Sequence, residues 1–201
     1  EQIAFYGADI IKINGNRQAV ASACQEFCIN NGIVYASHNL NPYFIQGTIS
    51  FGEEIIRLMN PQPNHILFPV GNGSLLIGTL KSYMQAHHKS YIRTPRLHAV
   101  QSINCMPLVS AFKGHHGSHI TQSSKTIAGG IAVQSPPRLK QCLSAIRETS
   151  GVAIAVKEEA IKKWQAILAQ DEGIFVEPTS AAALAGLELL IHETSIDSNE
   201  I

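Results

Sequence analysis

Residues 65–70 (HILFPV) form an unbroken apolar run that passes through Gly71-Asn72-Gly73 straight into a helical stretch opening at Ser74-Leu75. An apolar run without period-two alternation suits a strand buried on both faces. Two glycines then let the backbone turn from strand to helix within a few residues. A strand of this kind belongs in a parallel sheet, and parallel neighbours need crossover connections, usually helices. The rest of the chain supplies them in alternation. Strands are predicted at 8–13 (ADIIKI), 33–36 (IVYA), 65–70, 97–100, 152–156 and 173–176. Helices are predicted at 18–29, 48–59, 75–87, 107–113, 138–149, 158–170 and 180–191, with a polar loop at 114–124. Asn30-Asn31-Gly32 and Asn60-Pro61-Gln62-Pro63 are the clearest stop signals. The expected fold is a three-layer α/β arrangement with an open, mostly parallel sheet and helices on both faces. We expect one domain over 1–192 and a polar tail over 193–201.

Composition narrows the function classes. The chain has 201 residues, 45% hydrophobic and 15% charged, with Lys+Arg 15 against Asp+Glu 15. The apolar fraction excludes a disordered chain. The neutral balance argues against a general nucleic-acid binder, which needs a basic face. No apolar run approaches the roughly 18–20 residues that span a bilayer, and no secretion signal is evident, so a cytoplasmic protein without a membrane partner is expected. Cys24, Cys28, Cys105 and Cys142 read as free, buried thiols.

Ligands of such sheets sit beyond the carboxyl ends of the strands. Gly71, Asn72, Gly73, Ser74 and Leu75 occupy that position after residues 65–70. Inward N–H groups and the positive end of the following helix make an anion site, most simply one for phosphate. The loop lacks the Gly-Lys-Ser/Thr ending of a Walker A loop, and a dinucleotide fingerprint would need its third glycine at Leu76. A tight turn that binds nothing would use the same glycines. Glu177-Pro178 is followed by Thr179 and Ser180, where a helix N-cap belongs, and then by small residues that let a neighbour come close. The stretch from Lys125 to Val133 contains Ala128, Gly129 and Gly130, which suit either a plain bend or a backbone lying flat on a planar ligand. His115, His116 and His119 lack a Cys or carboxylate partner at fixed spacing and are read as no metal site. Glu158 and Glu159 read as solvated helix residues, and Trp164 as a packing anchor.

Taken together, Ser37-His38-Asn39-Leu40-Asn41-Pro42, Pro69-Val70-Gly71-Asn72-Gly73-Ser74, Ala99-Val100-Gln101, Thr126-Ile127-Ala128 and Glu177-Pro178-Thr179-Ser180-Ala181-Ala182 resemble the fold type II pyridoxal-phosphate enzymes, and within them the threonine synthase group. The resemblance runs over nearly the whole chain and implies the large-domain, C-terminal portion of that fold. It implies pyridoxal 5'-phosphate as cofactor and an amino-acid substrate, with conversion of O-phosphohomoserine to threonine and phosphate as the activity. It also implies a homodimer. By the same resemblance, Gly71, Asn72, Gly73, Ser74 and Leu75 would cradle the cofactor phosphate. Thr179, or failing that Ser180, would meet the pyridine nitrogen, and Ala128 and Gly129 would lie near the ring. Thr-Ile-Ala-Gly-Gly-Ile-Ala-Val departs from the Thr-Ile-Ala-Thr-Ala expected of a threonine synthase and leans towards the serine/threonine dehydratases and ammonia-lyases. The family's covalent cofactor lysine sits in a Ser-Phe-Lys-Asp type of segment. Lys12, Lys81, Lys89, Lys113, Lys125, Lys140, Lys157, Lys162 and Lys163 lack that context. The 201 residues alone are therefore expected to be inactive, leaving a non-catalytic phosphate- or cofactor-binding module as a reading of another class.

Overall fold

The computed structural model describes residues 2–87, 92–115, 125–193, 196 and 200. The chain divides into two compact units, Glu1–Leu40 and Asn41–Ile201.

The first unit holds α1 (Gln2–Phe5) and α2 (Arg17–Asn30). The Asn16 side chain caps α2 by accepting the Ala19 N–H at 3.0 Å. The stretches 8–13 and 33–36, expected as strands, have no ladder. Strand propensity is satisfied only by a neighbour, and among the described residues neither stretch has one. Their side chains stay in water: Ile11 is 64% exposed and Val34 is 86% exposed. Cys24, expected to be buried, is exposed, while Cys28 one turn later is buried.

The second unit carries the sheet. Its elements are α3 (Pro42–Leu58), β1 (His65–Pro69), α4 (Ser74–His87), β2 (Arg96–Ser102), α5 (Pro107–Phe112), a short 3₁₀ turn (Gly129–Ile131), α6 (Leu139–Glu148), β3 (Ala153–Val156), α7 (Glu158–Asp171) and α8 (Pro178–Glu193). Helix α3 starts six residues before the predicted boundary, because Asn41 caps it and Pro42 fits its first position. The three strands are parallel in the order β1-β2-β3, with His65 opposite Arg96 and Ala99 opposite Ala153. Residues 173–176, expected as a strand, form none. Phe175 is 83% exposed there, and the stretch is instead tied to α7 by the Ile174 N–H on the Leu168 carbonyl.

Alternate residues of the strands feed two cores. Ile66, Phe68, Leu97, Ala99 and Ala153 pack with Leu76 and Ile77 of α4, Leu108 and Val109 of α5, and Ala145 and Ile146 of α6. Leu67, Val100, Ile154 and Val156 pack with Ile161 and Trp164 of α7 and with Ala181, Ala182 and Ala185 of α8. The sheet is thus covered on both faces, as expected. Trp164 does anchor the packing: its indole N–H donates to Glu188 of α8 at 2.7 Å, beside the Lys163–Glu188 ion pair. A glycine is required at Gly186, where an added Cβ would lie 2.5 Å from Val100 Cγ2.

One polar chain enters the apolar interior near the amino ends of the strands. The His65 and His98 rings stack with centroids 5.2 Å apart. The Val152 N–H donates to His98 Nδ1 at 3.2 Å, which leaves Nε2 as the protonated nitrogen of that ring. His98 Nε2 therefore donates to His65 Nδ1 at 2.9 Å, and His65 Nε2 to a Glu200 carboxylate oxygen at 3.2 Å. Burial, followed by the charges of His65 and Arg96, pushes the His98 imidazole down to about 4.

Candidate functional site

The carboxyl end of the sheet is where the chain's special turns meet. Val70 prolongs the ladder by donating its N–H to the Val100 carbonyl at 2.9 Å. The backbone then turns through Gly71, Asn72 and Gly73 into α4, whose first helical bond runs from the Ile77 N–H to the Gly73 carbonyl. Gly73 has φ +76°, in the left-handed region. A Cβ there would lie 2.1 Å from Cys142 Sγ of α6. The Cys142 thiol donates to the Asn72 carbonyl at 3.8 Å, and burial pushes that thiol up to about 11, so it stays protonated. On the other side, the Thr48 hydroxyl of α3 donates to the Ser74 carbonyl at 3.1 Å. The loop is thereby held from both flanks.

Two further stretches close on it. A Cβ on Gly71 would lie 2.9 Å from the Gly130 carbonyl oxygen and 3.1 Å from Val133 Cγ2. The Gly130 N–H in turn donates to Thr179 Oγ1 at 3.1 Å. Gly71, Gly130 and Thr179, far apart in sequence, therefore converge at one place. Ala128 is fully buried beside them, whereas Gly129 faces open space. The arrangement differs from the sequence reading at the start of α8. Thr179 is not its N-cap. Pro178 opens the helix, and the Glu177 carbonyl accepts the Ser180 and Ala181 N–H groups. Thr179 sits in the first turn with its hydroxyl turned to Gly130, while the Ser180 side chain is exposed. The Leu75 side chain is 40% exposed.

Two side chains behind the site were not singled out from sequence chemistry. Gln101, fully buried on β2, donates from Nε2 to the Val70 carbonyl at 2.9 Å. Its Oε1 accepts the Leu108 N–H at 2.9 Å and the Val109 N–H at 3.3 Å, so one amide ties the root of the glycine loop to the start of α5. Gln101→Leu would strand a buried carbonyl and two buried N–H groups. It is expected to cost about 3 kcal/mol or more in urea unfolding. A cost under about 1 kcal/mol would contradict this accounting.

The second is Glu158, expected to be solvated. It caps a network instead. The Ser102 hydroxyl donates to its Oε1, the Ile127 N–H donates to its Oε2 at 2.8 Å, and the Thr126 hydroxyl also bonds its carboxylate. Burial pushes the Glu158 carboxyl up, but these hydrogen bonds and the Lys162 charge outweigh burial and hold it below its ordinary value. Period and propensity give no hint of either role, because both depend on which strand lies beside which loop.

Every described lysine is exposed. Lys89, His116 and His119 lie outside the described residues, and among the described residues no group of three His, Cys, Asp or Glu side chains could hold a metal. No described helix is long and apolar enough to cross a membrane.

A family model described as pyridoxal-phosphate dependent enzyme matches residues 1–200. The chain is similar to the threonine synthase of Methanocaldococcus jannaschii, with 32% identity over 202 residues, 99% of this chain and 50% of that protein. It is similar to the threonine synthase of Mycobacterium bovis, with 30% identity over 187 residues, 92% of this chain and 50% of that protein. The chain spans about half the length of the curated relatives it matches. Among solved structures, maize serine racemase superposes with TM-score 0.75 at 19% identity, over 96% of this chain and 56% of that one. Threonine synthase from Escherichia coli superposes with TM-score 0.67 at 18% identity, over 92% of this chain and 44% of that one. At these identities the structural likeness is one of fold.

Proposed function

We propose, from the premise that this chain belongs to the pyridoxal-phosphate dependent enzyme family, that it forms the cofactor-holding part of a cytoplasmic, threonine synthase-like lyase acting on O-phosphohomoserine. The observation that carries this reading is the convergence of Gly71, Gly130 and Thr179. The residues fit the cofactor's shape and charge. Gly71 and Gly130 keep two backbones close, and a Cβ on either would press into the facing segment. The N–H groups following Gly71 open a 14-residue helix, whose positive end suits a phosphate. Gly71, Asn72, Gly73, Ser74 and Leu75 would hold that phosphate. Ala128 and Gly129 would line the ring.

Thr179 would take the pyridine nitrogen. Its oxygen already accepts from Gly130, so the hydroxyl's own hydrogen is the part left to donate. A hydroxyl donates without giving up its proton at neutral pH, and the start of α8 is itself electropositive. Both would keep that nitrogen unprotonated. When bound, the cofactor supplies an electron sink for the substrate's Cα, and a neutral nitrogen moderates that sink in favour of elimination and replacement. The lysine that would hold the cofactor covalently has no counterpart among the described lysines, all of them exposed, so we assign turnover to a longer polypeptide.

The test is mass spectrometry and a binding titration on the purified chain. Pyridoxal 5'-phosphate is expected to bind measurably, with pyridoxal lacking the phosphate binding far more weakly. Gly73→Asp, which sets both a negative charge in the loop and a Cβ 2.1 Å from Cys142 Sγ, is expected to abolish binding. Borohydride reduction should leave the mass near 21.8 kDa. A stoichiometric adduct would overturn the assigned inactivity, and equal binding of both pyridoxal forms would overturn the phosphate loop. The dehydratase reading is favoured by Thr126-Ile127-Ala128-Gly129-Gly130. Product analysis on the longer polypeptide separates the two: threonine with phosphate, or a 2-oxo acid with ammonia.

A further inference from the structure

Glu158 has no part in the cofactor reading above, yet it is the hub of the polar network behind the site. The Asn104 N–H donates to Ser102 Oγ at 3.0 Å, and the Ser102 hydroxyl passes its own hydrogen to Glu158. The Asn104 side chain donates to the Lys125 carbonyl at 3.2 Å. The Ile127 N–H and the Thr126 hydroxyl complete the set on the carboxylate, while Thr126 Oγ1 also accepts the Ala128 N–H at 3.1 Å. Residues 125–128 belong to no strand or helix, so side chains rather than a ladder fix where they run. Three residues past Ile127, the Gly130 N–H reaches Thr179 and its carbonyl faces Gly71.

We infer that Glu158 is a positioning residue of the candidate site: its carboxylate, on the first turn of α7, sets the path of 126–130 and so places the Gly130 backbone between Gly71 and Thr179. The inference rests on the cofactor reading for its functional consequence, but not for its geometry. Glutamine can preserve part of the clamp. Its oxygen accepts the Ile127 N–H while its amide donates to Ser102 Oγ. Alanine preserves none of it. Glu159, the next residue on the same turn, is exposed and offers the same helix-dipole charge without the clamp.

The experiment compares amide hydrogen exchange and inorganic phosphate affinity, the latter by ³¹P titration, in the wild-type chain, Glu158→Ala, Glu158→Gln, Glu159→Ala and Thr126→Val. Glu158→Ala is expected to raise exchange at Ile127 and Gly130 selectively, with the β2 amides of Val100 and Ala99 unchanged. Its phosphate affinity is expected to fall about tenfold, the size of one lost hydrogen bond to a charged group. Glu158→Gln should stay within about threefold of wild type on the same grounds. Glu159→Ala should change neither readout. Thr126→Val, which at nearly constant volume removes the hydroxyl's bond to Glu158 and the acceptor of the Ala128 N–H, should shift Ile127 exchange in the same direction by less, and it decides the matter should the alanine variant not fold. Unchanged Ile127 and Gly130 exchange in Glu158→Ala, or in Thr126→Val where alanine does not fold, would overturn the inference. So would an equal effect of Glu159→Ala, since that would mean helix charge alone is responsible. Failure of the wild-type chain to take phosphate would overturn the cofactor reading instead, and the exchange comparison then judges the clamp by itself.

Discussion

Gly73→Ala is expected to lower the free energy of unfolding by about 2–4 kcal/mol. Two effects add. The left-handed backbone costs an alanine about 1 kcal/mol relative to glycine. The new methyl also meets a sulfur that cannot step aside easily: its Cβ would lie 2.1 Å from Cys142 Sγ, on a side chain only 1% exposed and packed among Leu76, Ala145 and Ile146. Overpacking of this size typically costs about 1–3 kcal/mol. The two effects can be separated in a double-mutant cycle with Cys142→Ala, read by urea denaturation. Removing the sulfur vacates the space the methyl needs, so the double variant should be more stable than the sum of the single losses indicates. The remaining deficit should approach the conformational part, about 1 kcal/mol. Strict additivity would show that the loop moves to avoid the sulfur, and that Cys142 does not brace it.

The second large effect is on pH dependence. His98 is held neutral because its Nδ1 must accept the Val152 N–H and its surroundings exclude water. Protonation would place a hydrogen on Nδ1 and point two donors at each other. The folded-state value, about 4, lies below the ordinary value of 6.5, so between these limits the unfolded chain takes up a proton that the folded chain refuses. The stability contributed is fully present above about pH 6.5 and is lost as pH falls towards 4. Its size is on the order of 3 kcal/mol. Glu200, His65 and Arg96 face the same chain of bonds, so the test is a difference between two proteins. Denaturation curves from pH 7 to pH 4 should fall more steeply for wild type than for His98→Gln. Glutamine accepts from Val152 and donates to His65 without titrating. Parallel curves would remove His98 from the account.

How much of this was legible beforehand depends on the range of the interactions. β1 and the turn after it were readable because everything that makes them is local: an unbroken apolar run, then glycines, then a helix. The two-sided burial of the sheet followed from the same run. Residues 8–13, 33–36 and 173–176 carry as much β-branched and aromatic character, yet none is a strand among the described residues. Composition states what a segment tolerates, and pairing needs a partner that no local pattern encodes. Thr179 shows the same limit within the site. A hydroxyl between proline and a run of alanines reads as a cap, and its actual partner lies 49 residues away at Gly130. Glu158 at the start of α7 fits a helix-dipole role perfectly well, and nothing short of the packing of β2 against the 126–130 segment discloses the other one.

The ladderless stretch 8–13 carries a colloidal consequence. β-branched text without a ladder is a template onto which another molecule can add, edge to edge. Ile10 and Ile11 present such text to water, and Lys12 follows them directly. Stacking copies in register would bring these ammonium groups within about 5 Å of one another, the spacing of adjacent strands. The Lys12 charge opposes such stacking, most strongly in dilute salt, where like charges repel over the longest distance.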